Sequence, residues 1–159
     1  MNWARPCAPA DEVAAALAGQ GQVGIAAVNA PEQTVIAGPA DRIDACCADF
    51  TARGWRCQRL NVSHAFHSPL VEPMLDAFEA AARGVRWSAP RLPLVSNLSG
   101  ALATPAELRS PRYWRRHVRE TVRFADGVAT LLAQRPDLCI EIGPHPALLS
   151  LLSPAAPGM

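Results

Sequence analysis

The apolar and polar positions of the first sixty residues switch between two periods. Residues 9–20, PADEVAAALAGQ, open on Pro and two acids and close on Gly, which predicts a helix. VGIAAVN (23–29) is a short apolar run with β-branched positions. QTVIAG (33–38) follows it across the turn APE, and the two together predict a hairpin. PADRIDACCADFTARG (39–54) repeats the helix grammar, with Ile43, Cys46, Cys47 and Phe50 spaced three or four apart on one face. WRCQRLNV (55–62) alternates in part and predicts a strand. Helix, strand, strand, helix, strand is a split βαβ, ferredoxin-like unit that lacks only its leading strand. MNWARPCA (1–8) sits where that strand belongs but reads poorly as one. The expected small lobe therefore covers 9–63, with its first strand poor or missing.

The second half, 64–152, has a different texture. SPLVEPMLDAFEAAARG (68–84) predicts an amphipathic helix with Leu70, Met74, Leu75 and Phe78 on one side. PRLPLVSNLSG (90–100) predicts a strand running into a Ser/Asn/Gly loop. Residues 110–136 predict one or two helices, and their opening, RYWRRHVRETVR, mixes aromatic and Arg side chains on its face. DLCIEIG (137–143) predicts a buried strand, PHPALLSLL a short helix, and residues 153–159 a disordered tail. Two apolar strands cannot form a sheet alone, because buried parallel strands need neighbours on both sides. The expectation is an incomplete sheet.

Composition narrows the function classes. Half of the 159 residues are hydrophobic and 18% are charged, enough for a core and unlike a disordered chain. A net charge of +1 argues against a general nucleic-acid binder, which needs a concentrated basic face. All 15 basic residues are Arg, a bias that reads as genomic GC content rather than chemistry. No apolar run approaches the ~20 residues that span a bilayer, and MNWARPCAPADEV lacks the form of a signal peptide. The five cysteines show no CxxC spacing and are expected as reduced thiols of a cytoplasmic protein.

Chemistry concentrates in NVSHAFHSPLVEPML (61–75), where two histidines lie three apart at a strand-to-helix junction. An HxxH pair without a third ligand does not define a metal site. Either histidine could instead bond backbone at the corner, and the residues alone leave that open.

Five segments in order, AVNAPEQTVIAG, LNVSHAFHSPLVEPML, LPLVSNLSG, SPRYWRRHVRETVRFADGV and IEIGPHPALL, resemble the C-terminal part of the acyltransferase domain of modular type I polyketide synthases, relatives of malonyl-CoA:acyl-carrier-protein transacylases. The resemblance implies an α/β fold: a ferredoxin-like small lobe inserted into an α/β-hydrolase-like lobe, here an incomplete acyltransferase fold. It implies ping-pong transfer of malonyl from malonyl-CoA through a serine to the phosphopantetheine thiol of an acyl carrier protein, alongside other polyketide synthase domains. No cofactor, metal, nucleic acid or membrane enters that reaction.

On the same resemblance His67, last of the tetrad HAFH, is the catalytic acid/base. His64 and Phe66 are substrate-binding positions that lean towards malonyl, since a bulky Phe66 would fill the space of an α-methyl group. One methyl is worth only ~1–3 kcal/mol of discrimination. Asn29 is expected near the acyl-thioester, and a carbonyl from the region of Asn97 is expected to orient the imidazole. Arg115, Arg116, Arg119 and Arg123 could meet CoA phosphates or an acidic carrier protein, or form a solvated helix face. His145 is expected to be structural. The family's GxSxG serine elbow has no counterpart in the 159 residues. The chain is therefore expected to be a fragment, inactive alone. The rival readings are a catalytically dead remnant serving as a binding or docking module, and an unrelated ferredoxin-like ligand-binding domain.

Overall fold

The structure, a computed structural model, describes residues 2–60 and 65–152. His64 and the expected tail at 153–159 lie outside the described residues. The chain runs β1 (Asn2–Pro6), α1 (Ala10–Ala16), β2 (Gly24–Ala30), β3 (Gln33–Gly38), α2 (Ala40–Ala52) and β4 (Cys57–Leu60). A 3-10 helix (Pro69–Met74) leads into α3 (Leu75–Arg83). The chain continues through α4 (Pro105–Leu108), α5 (Pro111–Arg119), α6 (Phe124–Ala133) and α7 (Leu149–Leu152).

The four strands form one antiparallel sheet in the order β2-β3-β1-β4. This is the ferredoxin-like arrangement, and it corrects the reading of the N-terminus: residues 2–6 are a central strand, and the lobe begins there rather than at residue 9. Neighbours on both edges form this strand despite its composition. Trp3 faces Ala37 on one side and Leu60 on the other, and Pro6 falls at the strand end opposite Cys57. A proline is tolerated there because the ladder needs no donor from it.

Both faces of the sheet are covered. Ala4, Val13, Leu17, Ile36, Ile43 and Phe50 join α1 and α2 to one face. Ala26, Val35, Ala37 and Ala65 pack on the other, with Trp3, Leu70 and Val122 around them. The two-sided cover explains why β3 reads as a continuous apolar run rather than an alternation. Thr34, fully buried within it, donates its hydroxyl to the Ala8 carbonyl at 3.0 Å.

Cys47 and Cys57, expected as thiols, form a disulfide whose Cα atoms lie 5.5 Å apart. The packing of α2 beside β4 brings these two positions together, which no spacing rule anticipates.

The expected helix over 68–84 divides. Pro69 and Pro73 offer no N–H, so the first turns are 3-10 and α geometry begins only at Leu75. Residues 110–136 become two helices, broken where the chain joins the sheet. The Val122 N–H donates to the Ala26 carbonyl (2.8 Å), the Val28 N–H to the Val122 carbonyl (2.9 Å), and the Thr121 hydroxyl to the Ile25 carbonyl (2.7 Å). Residues 119–123 thus tie the second half of the chain to the edge of β2.

The strands expected within 90–100 and over 137–143 do not form. Val95 makes only an isolated bridge to Leu102, and residues 137–143 lie outside any sheet. Strand geometry needs a hydrogen-bonding partner. Residues 101–103 run antiparallel beside 94–96 for the length of two backbone hydrogen bonds only, Ser96 N–H to the Ala101 carbonyl at 2.8 Å and Ala103 N–H to the Leu94 carbonyl at 2.9 Å, and 137–143 pair with no strand among the described residues. Leu138, Ile140 and Ile142 consequently point outward, 72%, 73% and 95% exposed.

Candidate active site

The turn between β4 and the 3-10 helix sets the histidine. The buried Ser68 hydroxyl donates to the Ala65 carbonyl at 2.6 Å and accepts from the Leu70 N–H at 3.3 Å. It therefore closes the turn and caps the helix at once. His67, inside this closure, takes the left-handed conformation with φ +58°. That conformation is costly for a residue with a β-carbon and persists only where surrounding contacts enforce it.

Those contacts come from the C-terminal end of α5. The His67 N–H donates to the Val118 carbonyl at 3.1 Å, and its Nδ1 lies 2.8 Å from the Glu120 carbonyl. A carbonyl can only accept, so Nδ1 carries the proton and Nε2 keeps its lone pair. Burial lowers the His67 pKa from its ordinary value, opposed by the carbonyls of Glu120 and His117. The outcome is an oriented, neutral imidazole whose cationic form would sit against main-chain carbonyls at a helix C-terminus.

Ion pairs hold α5 in place. Arg115 reaches Asp76 at 2.6 Å and Glu79 at 3.4 Å, and Arg119 reaches Glu72 at 2.9 Å. All three acids lie on the 3-10 helix and α3, just after His67. Arg116 forks onto Glu120 with bonds of 2.6 and 3.0 Å, and Arg123 pairs with Asp126 at 3.2 Å. The four arginines weighed as a phosphate or carrier contact are thus all engaged by acids of this chain. Each exposed pair is worth roughly 0–1 kcal/mol; those of Arg115 and Arg119 run between α5 and the segment after His67, whereas those of Arg116 and Arg123 are local.

The other sequence-predicted positions scatter. Phe66 adjoins His67 and is 44% exposed, while His64 is outside the described residues. Asn29, next to last in β2, lines an apolar cleft of about 320 Å³ with Pro31, Ala125, Val128 and Leu132. It is not among the hydrogen-bond or ring contacts described for His67. The Asn97 carbonyl accepts from the Arg123 N–H at 2.7 Å, so the orienting carbonyl belongs to Glu120 and not to the Asn97 region. His145 is exposed.

Two neighbours of His67 escaped the sequence reading. Glu120 acts through its main chain, which every residue possesses, so no side-chain signature marks it. His117 places its ring 6.2 Å from that of His67, edge-on, and 6.0 Å from those of Tyr113 and Trp114. Its spacing of four from Tyr113 on one helix face was the available signal. Among the described residues no three His, Cys, Asp or Glu side chains are grouped to hold a metal ion. No helix among them is long and apolar enough to cross a membrane.

A small four-stranded antiparallel lobe packed on a histidine-bearing corner frames the site, and sequence comparison gives its family. The pattern of the acyl transferase domain matches residues 5–156. Polyketide synthase GfsA of Streptomyces halstedii is 44% identical over 143 residues, 89% of this chain and 2% of that protein. The crystal structure of the acyltransferase domain from the second module of the salinomycin polyketide synthase superposes with a TM-score of 0.90 at 40% identity. That match covers 96% of this chain and 36% of the solved one. A type II polyketide synthase acyl-carrier protein in complex with its malonyl-transacylase gives a TM-score of 0.86 at 25% identity, covering 96% of this chain and 50% of that one. The chain belongs to the acyl transferase domain family, on its polyketide synthase side, and spans about a third of the solved salinomycin domain.

Proposed function

We propose that this chain supplies the histidine half of a malonyl-CoA:carrier-protein transacylase site, with the serine provided by a portion of the domain outside these 159 residues. One observation carries the reading: the His67 Nδ1–H is committed to the Glu120 carbonyl, so Nε2 is the free base. Nε2 removes the serine proton as the hydroxyl attacks the malonyl thioester. The imidazolium then protonates the departing CoA thiolate, leaving an O-malonyl serine. In the second half Nε2 deprotonates the phosphopantetheine thiol of the carrier protein, which takes the malonyl group, and the proton returns to serine. The solved complex of a malonyl-transacylase with an acyl-carrier protein supports both the donor and the acceptor class. Malonyl-CoA is a substrate here, and the scheme uses no cofactor or metal.

His64 and Phe66 are the proposed extender-unit determinants and Asn29 a further substrate-side position. Phe66 stands beside the base and keeps much of its ring accessible, as a pocket wall would.

The test joins the chain to the serine-bearing portion of a related acyltransferase domain and supplies radiolabelled malonyl-CoA with holo carrier protein. Label should pass to serine and then to the carrier, whereas the isolated chain should label neither itself nor the carrier. Hydroxylamine-sensitive label on the isolated chain would mean that it holds its own nucleophile and that the reading is wrong. In the joined domain, His64→Tyr with Phe66→Ser should shift loading towards methylmalonyl-CoA by at most ~10–200-fold, the scale of one methyl group.

A further inference from the structure

Away from the histidine corner, the small lobe carries a cleft that the acyl-transfer scheme does not use. It holds about 570 Å³ at the edge of the sheet, where β1 ends beside the start of β4. Arg5 and Cys7 line it from the end of β1, Thr51 from the last turn of α2, and Trp55, Arg56 and Cys57 from the chain entering β4. One of these residues carries a reactive bond: Cys57 is joined to Cys47 of α2, and Cys47 itself does not line the cleft. Both cysteines are half-buried, and the Thr51 hydroxyl donates to the Cys47 carbonyl at 2.8 Å, so the cleft lies against the disulfide. We propose that this cleft receives a small thiol bearing carboxylate groups and delivers it to the Cys47–Cys57 disulfide.

Charge selects the thiol. No acid lines the cleft, and among the described residues neither Arg5 nor Arg56 pairs with a carboxylate. Arg5 donates to the Gln58 side-chain oxygen at 2.6 Å, a neutral partner that leaves its charge uncompensated. Two acids of α2 are engaged elsewhere: Asp49 pairs with Arg53 at 2.9 Å, and Asp44 pairs with Arg59. Guanidinium groups in a concave wall focus a positive potential that raises the local concentration of anions. Each can also hold a carboxylate by charge-assisted hydrogen bonds. A neutral or cationic thiol gains from neither effect.

The exchange proceeds by ordinary disulfide chemistry. With its carboxylates on Arg5 and Arg56, the thiol attacks the Cys57 sulfur as thiolate. A bond forms between the two sulfurs, the Cys47–Cys57 bond breaks, and Cys47 departs as a thiolate that takes up the proton lost by the incoming thiol. A second thiol molecule attacks the mixed disulfide, frees Cys57 as a thiol and leaves as the oxidised dimer of the reagent. The two electrons that reduce the protein come from the two thiol molecules. The exchange unfastens α2 from β4, an edge strand whose sheet neighbour is β1 alone. None of this depends on the transacylase reading.

The experiment treats the full chain with glutathione, which carries two carboxylates, and in parallel with neutral 2-mercaptoethanol and cationic cysteamine at matched thiolate concentration. Timed samples are quenched with N-ethylmaleimide and mapped by mass spectrometry. Glutathione should appear on Cys57 and the maleimide on the released Cys47. The ratio of the glutathione rate to the cysteamine rate, which cancels any general change in access to the disulfide, should fall at least about threefold in Arg5→Gln with Arg56→Gln. In the wild type the glutathione rate should fall relative to that of 2-mercaptoethanol as salt rises from about 20 mM to about 500 mM. That comparison stands even where the substituted chain fails to fold. A smaller change in the ratio, a salt-independent preference or glutathione placed mainly on Cys47 would overturn the proposal. So would a chain that resists glutathione altogether, or one in which Cys47 and Cys57 are alkylated without prior reduction.

Discussion

The imidazole of His67 and the main-chain carbonyl of Glu120, separated by 53 residues in sequence, meet at 2.8 Å. The imidazole proposed as the acid/base is thus held by a main-chain carbonyl just past the end of α5. This relationship separates two substitutions. In a domain that carries its serine, His67→Ala should lower acyl-enzyme formation by several orders of magnitude, since loss of a triad member leaves only ~10³–10⁴-fold catalysis over water. Glu120→Ala retains the carbonyl and loses only an exposed ion pair worth about 1 kcal/mol or less, so loading should change by no more than several-fold. Rapid-quench loading with malonyl-CoA compares the two. Equal collapse of both would show that the Glu120 carboxylate, not its carbonyl, orients the base.

Acidification should destabilise the fold through the rings of His67 and His117. Burial lowers both pKa values in the folded chain from the ordinary 6.5. Above that value neither state of the chain protonates these rings, and their contribution is fully present. As pH falls from about 6.5 towards the depressed folded values, the unfolded chain takes up protons that the folded chain refuses, and stability drops. The urea midpoint should therefore fall between about pH 7 and about pH 5, and more gently in His117→Gln. A midpoint that rises on acidification over this window would contradict the burial of these rings.

Gly100 offers a steric test of how α6 is seated. It has φ +71°, and a β-carbon there would overlap the Cβ of Asp126. The Gly100 carbonyl also accepts the Thr130 hydroxyl at 2.5 Å. Gly54 has a similar φ of +82° but open space around it. Gly54→Ala should cost about 1–2 kcal/mol for the left-handed conformation. Gly100→Ala should cost that plus a further ~1–3 kcal/mol of overpacking. Denaturant melts of the two variants compare the sites, and equal losses would show that the Gly100 loop gives way without cost.

The outward apolar row Leu138, Ile140 and Ile142 should make the isolated chain associate. Exposed contiguous apolar surface and unpaired strand-like backbone both favour self-pairing. Light scattering should show mass rising with concentration, and Ile140→Lys with Ile142→Glu should suppress it. A monodisperse monomer at high concentration would mean that this row is covered within the chain.

What could be read from the sequence, and what could not, divides along physical lines. Residues 23–60 carry their own instructions: β-branched runs, a turn, Pro at the helix starts and Gly after α2. β1 carries none, because Asn2–Pro6 is a strand only by virtue of two neighbours that supply its hydrogen bonds. The converse failure occurs at 137–143, whose alternation is strand-like but whose partner is not among the described residues. His67 stood out through the resemblance carried by the tetrad and the four segments around it, since the residues alone left a purely structural histidine open. Its orienting group and the neighbouring His117 are products of tertiary placement by α5, and the arginines, weighed both as a ligand contact and as a solvated helix face, are each paired with an acid of this chain.

The central position of β1 has a consequence for how the lobe comes into being. The strand made first is bordered on both sides by strands made later, so the sheet cannot grow in order of synthesis. The β2–β3 hairpin, closed across a short turn, is the one local pairing and the natural seed. β1 must wait for β3, and β4 for β1, each across a longer loop with its larger closure entropy. Val35→Ala, in the seed, should therefore slow refolding, whereas truncation of Leu60 should mainly hasten unfolding; stopped-flow chevrons distinguish the two, and the reverse pattern would place the seed elsewhere. Since His67 follows β4 in the chain, its contact with the Glu120 carbonyl is expected to form only with the last strand to arrive.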